Sequence, residues 1–555
     1  MPHGASPLRR VRRYDVPSEY GAVRFWPTPQ EMPLAVWQNR ERAQNAEPRL
    51  LGSPAWHWRH NARRELLNAA LASSPNAQLV AATGHDAQPR EDAAPDKPIM
   101  LTGHQPGFLH AGIAVKFATA HWLARHFDGF ALNLVVDSDL PRDTDLLLPV
   151  PHAGQWRLDA LNLVPLQPDL PMEYQPLPTE ADLERFAARL ETMPLDYLPQ
   201  DAVPRLLHAL RDAAAHTENL PALFADLTRQ YGRELGWEWL DLPVSHAARS
   251  ESFLAFAGEF LRRNEELWTL YNAALATYRQ LNHVRSRTRP VSDLAGDPEG
   301  PGPREMPFWL FRHNQPRRPL FVRRHKATLH LGDGRNESCQ MPAHILENGA
   351  QGAQALQQCL DDHAIELRPR AVTLTAWARL FLGDYFIHGI GGARYDAVTD
   401  ALLQYFFQVR PPAFAVATAT LYPAVPGVPE PAQASERLQF DAWLTRDLQY
   451  NPQRHLQADD PAALDLAHQR LAAVAEAQQL RTAHADPERR RKAFERIREL
   501  NSSLQPWTSP HSEDLTRDLT RDRQRLHDAR VTHHRDCFFG LFPPSDLAHL
   551  CPNHH

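Results

Sequence analysis

The stretch from Pro98 to Asp139 constrains the fold of this chain more than any other. It reads PIMLTG, then HQPGFL, then HAGIAVKFATAHWLARHF, then DGFALNLVVDSD. The first run is short and apolar, as a buried strand is. The histidine-led run places Ile113, Phe117, Ala120, His121 and Ala124 on one stripe, which predicts a helix. ALNLVVDSD reads as a second buried strand that ends in acids. Strand, helix and strand in such close succession form a βαβ unit, so the two strands are expected to be parallel. The crossover is expected to be right-handed. The expected class is α/β, with a parallel sheet at the core.

That unit also predicts where a ligand binds. In open α/β sheets, ligands lie beyond the carboxyl ends of the strands. GHQPG follows the first strand and DSDLPRDTD the second, so the two loops should be neighbours at that edge. Two glycines and a proline in one turn weaken a fold that needs only a turn. The helix start at Ala111 to Ile113 points amides toward the same edge, which favours a phosphate. Lysine occurs at only four positions, Lys97, Lys116, Lys326 and Lys492, and Lys116 falls within this helix.

Around that unit, residues 1–95 read as mostly helical and polar, closing on a loose linker, HDAQPREDAAPDKP. Residues 96–435 form the expected core, with a helical insertion at about 180–290. Within the insertion, FLAFAGEFLRRNEELWTLYNAALATYRQL reads as one long amphipathic helix. Residues 305–331 read as strands, and HGIGGARYD as a glycine-rich turn. Residues 436–555 read as an α-helical, coiled-coil-like arm and a tail. There Leu464, Ala467, Leu471 and Val474 keep helical spacing, and Asp486-Pro487 is a helix start. Such an arm suits either a homodimer or packing on its own core.

Bulk properties narrow the partners. A length of 555 residues suggests roughly two to four domains. A formal net charge of -6 gives no basic excess, so no nucleic-acid partner is expected. No stretch approaches the roughly 20 apolar residues of a membrane span. The opening MPHGASPLRRVRRYDVPSEYG holds no apolar leader, and four cysteines make no disulfide framework. A cytoplasmic protein acting on small molecules is the expectation.

No Walker A, HExxH or first-strand GxGxxG pattern is present. Gly107-Phe108-Leu109-His110-Ala111-Gly112-Ile113 resembles the adenylate-forming signature of class I aminoacyl-tRNA synthetases and nucleotidyltransferases, except that Ile113 replaces its last histidine. Three segments read together carry a closer resemblance. They are Gly103-His104-Gln105-Pro106-Gly107-Phe108-Leu109-His110-Ala111-Gly112 with Lys116; Asp137-Ser138-Asp139 with Asp143 and Asp145; and Leu367-Arg368-Pro369 with Gly391-Gly392-Ala393-Arg394-Tyr395-Asp396. In order and spacing they resemble the bacillithiol-biosynthesis cysteine-adding enzymes, a cysteine ligase family with a Rossmann-like core. His104 stands where that family has glutamine, and Arg394 where it has an acid.

The resemblance implies an ATP-dependent ligase that joins cysteine to an amine of a sugar conjugate, with ATP and Mg²⁺ as cofactors. It implies His104, His110 and Lys116 as catalytic donors. Gly103, Gln105, Gly107, Gly112, Gly391 and Gly392 would hold the nucleotide, and Asp137, Asp139, Arg394, Tyr395 and Asp396 the substrate. Two other readings fit the same residues: a nucleotide-binding protein without chemistry, and a dimeric helical scaffold. His534-x-x-Cys537 and Cys551-x-x-His554 have zinc-pair spacing. They read instead as buried thiols beside a polar tail, and no metal ligand is assigned.

Overall fold

The computed structural model describes residues 12–45, 49–73, 96–142, 144–297, 300, 302–456 and 460–555. It is mixed α/β and divides into two compact units. One comprises Met1–Leu148, Ala160–Tyr422 and Arg535–His555; the other comprises Pro149–Asp159 and Pro423–His534.

The larger unit is built on a six-stranded, mostly parallel sheet. Its strands are β1 (Val23–Trp26), β2 (Ile99–His104), β3 (Phe130–Val135), β4 (Leu240–Pro243), β10 (Tyr385–His388) and β11 (Phe414–Ala419). Strands β5 to β9 belong to a second sheet described below. The spatial order is β1-β11-β10-β2-β3-β4, and only β1 runs antiparallel to its neighbour. In β2, Ile99 and Leu101 enter one apolar cluster and Met100 enters the other. Both faces of the strand are therefore covered, as a parallel sheet requires. Helix α3 (Ala111–His126) joins β2 to β3 and packs in the cluster that holds Met100. Helix α11 (Ile390–Tyr405) joins β10 to β11 and packs in the cluster that holds Leu101. The result is a three-layer arrangement.

The second sheet of this unit is antiparallel. Its order is β8 (Glu337–Pro342), β7 (Thr328–Gly332), β6 (Arg318–His325), β5 (Arg304–Phe311) and β9 (Glu366–Pro369). Helix α9 (Ala350–Asp362) packs beside it.

Three expectations change here. The amino-terminal segment supplies the edge strand β1, besides α1 (Met32–Asn45) and α2 (Ala55–Ser73); most of the 85–98 linker lies outside the described residues. The predicted helical insertion supplies a strand, β4. Its sequence, LDLP, is short and carries a charge, but Asp241 is neutralised by Arg229 and accepts from Asn133 at 2.8 Å. The predicted long helix is two, α7 (Glu251–Arg262) and α8 (Asn264–Leu281). The break is at Arg263, whose guanidinium binds Glu259 and Glu266 and lies 4.0 Å over the Phe406 ring.

The smaller unit is led by α12 (Pro431–Tyr450), α13 (Pro461–Thr482) and the 46-residue α14 (Pro487–Thr532). Both shorter helices pack along α14. Asp486 caps α14 by accepting from Glu488 and Arg489. The buried face of α13 is Ala463, Ala467, Arg470 and Ala473, whereas Leu464 and Leu471 are about half exposed. Small side chains, and not the leucines, make that seam. The unit takes in Pro149–Asp159 and then runs from Pro423, ahead of the sequence boundary at 436, and the tail from Arg535 belongs to the larger unit. Among the described residues, no helix is long and apolar enough to cross a membrane.

Candidate functional site

Strand β2 hands its chain through α3 to β3 on one side, and β10 hands its chain through α11 to β11 on the other. The topology therefore reverses between the adjacent strands β10 and β2. At such a switch point the two loops diverge above the carboxyl edge and leave a crevice. A cavity of about 540 Å³ lies there. Gly103, His104, Gln105, His110, Gly112 and Lys116 line it from the first loop and α3; His388, Gly391, Gly392 and Tyr395 from the second; Asp139 from the acidic loop.

Lys116 is the most constrained group. It is 2% exposed, and its Nζ donates to the Gly103 carbonyl at 2.8 Å. Among the described residues no carboxylate forms an ion pair with it. Burial pushes its ammonium down from 10.5 to about 7, because a low-dielectric surrounding disfavours the charged form.

His104 is lowered to about 3 by burial, with the Lys116 charge adding to the effect. It is therefore neutral at physiological pH. Its Nδ1 lies 2.9 Å from the Gln105 carbonyl, which accepts only, so Nδ1 carries the proton and Nε2 is an acceptor. The donor role expected for His104 is thus corrected: it is a neutral hydrogen-bond acceptor. His110 has the opposite arrangement. It caps α3 by accepting the Gly112 amide on Nδ1 at 3.0 Å, and its Nε2 lies 3.7 Å from Asp536.

The glycines divide by role. Gly103 sits against the Leu134 backbone, where a Cβ would come within 3.1 Å of a carbonyl oxygen. A Cβ on Gly112 would overlap the Arg535 guanidinium, so Gly112 makes room for a cation as well as for a ligand. A Cβ on Gly392 would come within 2.7 Å of His388 Nδ1. Gly391 has nothing within 4 Å of that position and faces the cavity. The start of α11 beside it carries no side-chain cap, which leaves its amides to a ligand. Gly107 is buried in the turn and does not line the cavity.

The acids are already engaged. Asp137 is 3% exposed, accepts from the Ser245 amide at 2.9 Å and from its hydroxyl, and does not line the cavity. Burial pushes its carboxyl up against the pull of those donors. Asp139 accepts from Gln105 at 2.8 Å and pairs with Arg317. Asp143 lies outside the described residues. Arg394 is exposed and lines a different cavity, with Tyr278 and Arg289. Tyr395 faces the main cavity, its phenol raised by burial. Asp396 is fully buried behind it, 2.8 Å from Arg379 Nη1 and 2.8 Å from His388 Nε2. Its place is to hold His388, not to touch a substrate.

Several lining residues escaped the sequence reading. Arg370 follows the Leu-Arg-Pro segment and pairs with Glu305 at 2.7 Å. Its guanidinium and that of Arg317 lie 4.0 and 4.2 Å from the centre of the Trp309 ring. His388 stacks on Phe386 at 4.3 Å. Arg535 is held to Thr418 at 3.3 Å and lies 3.9 Å from Asp536, and burial lowers its pKa. The tail is stitched to the first loop by the Phe539 amide, which donates to the Leu109 carbonyl at 2.8 Å. Only the glycines of HGIGGAR announced the second loop; nothing local announces Arg535.

His534, Cys537, Cys551 and His554 form no donor cluster among the described residues. Cys537 is buried, with its thiol raised by burial to about 12. In comparisons with known proteins, no family model matches the chain, and no curated sequence matches it either.

Proposed function

We propose that this chain is an ATP-dependent ligase that joins a small carboxylic acid to an amine. By the resemblance of its loops, the acid is cysteine and the amine belongs to a sugar conjugate in low-molecular-weight thiol synthesis. The observation that carries the reading is Lys116: a buried lysine without an acid partner among the described residues, at a topological switch point, lining one cavity with Arg535 and an uncapped helix start. A site that assembles desolvated cations and free amides is completed by an anion. A polyphosphate fits that donor set. ATP would supply activation of the carboxylate as an acyl adenylate, with pyrophosphate as the leaving group.

In this reading the chain's own groups divide the work. Lys116, Arg535 and the Gly391 amide hold phosphate oxygens. His110 donates from Nε2 as charge develops. His104, neutral with Nε2 open as an acceptor, suits the incoming amine. Asp137 and Asp139 both have partners, so a Mg²⁺ ion would be held chiefly by phosphate oxygens. The core is then Rossmann-like, the helical unit a coiled-coil arm, and the protein cytoplasmic. The exposed Phe440, Trp443 and Phe494 of that unit favour a homodimer through its helices as a second reading.

The test is calorimetric titration of ATP into the wild type and Gly391→Val, followed by a pyrophosphate-release assay with cysteine. Gly391 meets no neighbour, so its substitution disturbs the site and not the packing. Micromolar binding lost in the variant is expected. ATP bound equally by both proteins, or by neither, overturns the reading. Binding without pyrophosphate release favours a nucleotide-binding protein without chemistry. Sedimentation at several concentrations reads the dimer.

A further inference from the structure

We propose that Cys339, Cys359 and His363 form a binding site for a thiophilic divalent cation, zinc foremost, with a fourth position open to solvent or a ligand. Their ligand atoms, two Sγ and one ring nitrogen, all lie within 4.8 Å of one another. A tetrahedral zinc ion has metal–sulfur bonds of about 2.3 Å and metal–nitrogen bonds of about 2.0–2.1 Å. Donors this close together can converge on one ion at those lengths by side-chain rotation. Two cysteines and a histidine with an open fourth position is also a ligand set used by catalytic zinc.

The surroundings support a cation. Cys339 projects from β8 and is buried, while Cys359 on the last turns of α9 is half-buried and His363 just past it is exposed. Cys359 and His363 are four residues apart, one helical turn, and so share a face. The His363 Nδ1 lies 2.9 Å from the Cys359 carbonyl, which anchors the ring beside the thiols. That backbone contact is one that metal-bound histidines commonly use. The Cys359 Sγ lies 3.7 Å from the carbonyl of Gln340, on the strand that carries Cys339, so the helix presents its thiol to that strand.

No CxxC pattern marks this site in the sequence, because Cys339 and Cys359 come from a strand and a helix. It is separate from the switch-point cavity, and none of the three residues lines that cavity. The proposal stands or falls independently of the ligase reading.

The experiment is Co²⁺ titration of the reduced, metal-stripped full chain, followed by absorption. One equivalent should bind with a thiolate-to-cobalt charge-transfer band and the intense visible bands of a four-coordinate site. Zinc should displace it, as its higher affinity dictates. Cys359→Ser should abolish the charge-transfer band, and His363→Gln should weaken binding roughly tenfold or more. Cys551→Ser should change nothing. Circular dichroism of each variant separates loss of the site from loss of the fold. Absence of the band in the folded wild type overturns the proposal, and so does its survival in Cys359→Ser. Wild-type protein that forms a Cys339–Cys359 disulfide in air, yet binds no Co²⁺ once reduced, also overturns it.

Discussion

The Lys116 ammonium donates to the carbonyl of Gly103, thirteen residues back, at 2.8 Å, and this is the only hydrogen bond it makes among the described residues. One backbone dipole replaces the hydration shell of a full charge, and the lowered pKa follows from that exchange.

Stability should therefore rise with pH above neutrality through this residue. Lys116 titrates near 7 in the fold against 10.5 as a free side chain. Below 7 both states hold the proton, and the full cost of the buried charge is felt. Between 7 and 10.5 only the unfolded chain holds it, so the cost fades as pH rises. The slope approaches about 1.4 kcal/mol per pH unit. Urea unfolding across pH 6.5–10 should show this slope in the wild type and a flatter one in Lys116→Met.

Anion binding should run the other way. A phosphate bound at Lys116 favours the charged amine, so binding takes up a proton above pH 7. Affinity for ATP should weaken by up to about tenfold per pH unit above that point. In Lys116→Met it should be weaker at pH 7 and lose most of that dependence. Calorimetry in buffers of different ionisation enthalpy counts the proton directly.

Gly112→Ala should cost function more than stability. The added Cβ meets the Arg535 guanidinium, the His110 ring at 2.8 Å and the Ala419 carbonyl at 3.0 Å. Of these, the Arg535 guanidinium, at the end of a long side chain, is the one that can give way, at the cost of its bond to Thr418. A stability loss of about 1–2 kcal/mol is expected, together with loss of ATP binding by calorimetry. Unchanged affinity would remove Arg535 from the anion site.

Asp396→Ala should destabilise strongly. It removes the carboxylate that Arg379 and His388 share in full burial, leaving Arg379 with Asp400 at 2.8 Å and the Pro412 carbonyl. Breaking a buried pair costs about 3 kcal/mol or more, read as a lower urea midpoint. Gly391→Val in the same loop should leave that midpoint nearly unchanged.

The parts legible in the sequence are those whose signal is local. Strand β2, helix α3 and strand β3 announce themselves by periodicity, and the meeting of Gln105 with Asp139 follows from their parallel order. Strand β4 is hidden because Asp241 interrupts its apolar run, and distant partners, Arg229 on a neighbouring helix and Asn133 on β3, make that charge tolerable. The role of Asp137 was misjudged because its partner, Ser245, lies 108 residues away. His104 was assigned the wrong hydrogen-bond direction because the tautomer depends on a carbonyl, which no residue type reveals. The glycines of the second loop were visible, but their division of labour rests on what each Cβ would strike.

The return of Arg535–His555 to the larger unit has a consequence for how the molecule comes into being. Synthesis proceeds from the amino end, so the sheet and both glycine loops emerge first, and the three long helices of the smaller unit follow them. Arg535 and Asp536, which close one wall of the cavity, emerge after all of these. Until they arrive, the apolar patch around Leu109 and Phe108 lacks the tail that covers it. A ribosome that stalls between Thr418 and residue 535 therefore releases a product that carries every loop of the site and still lacks its last cation. Completion of the site doubles as a check that translation reached that point.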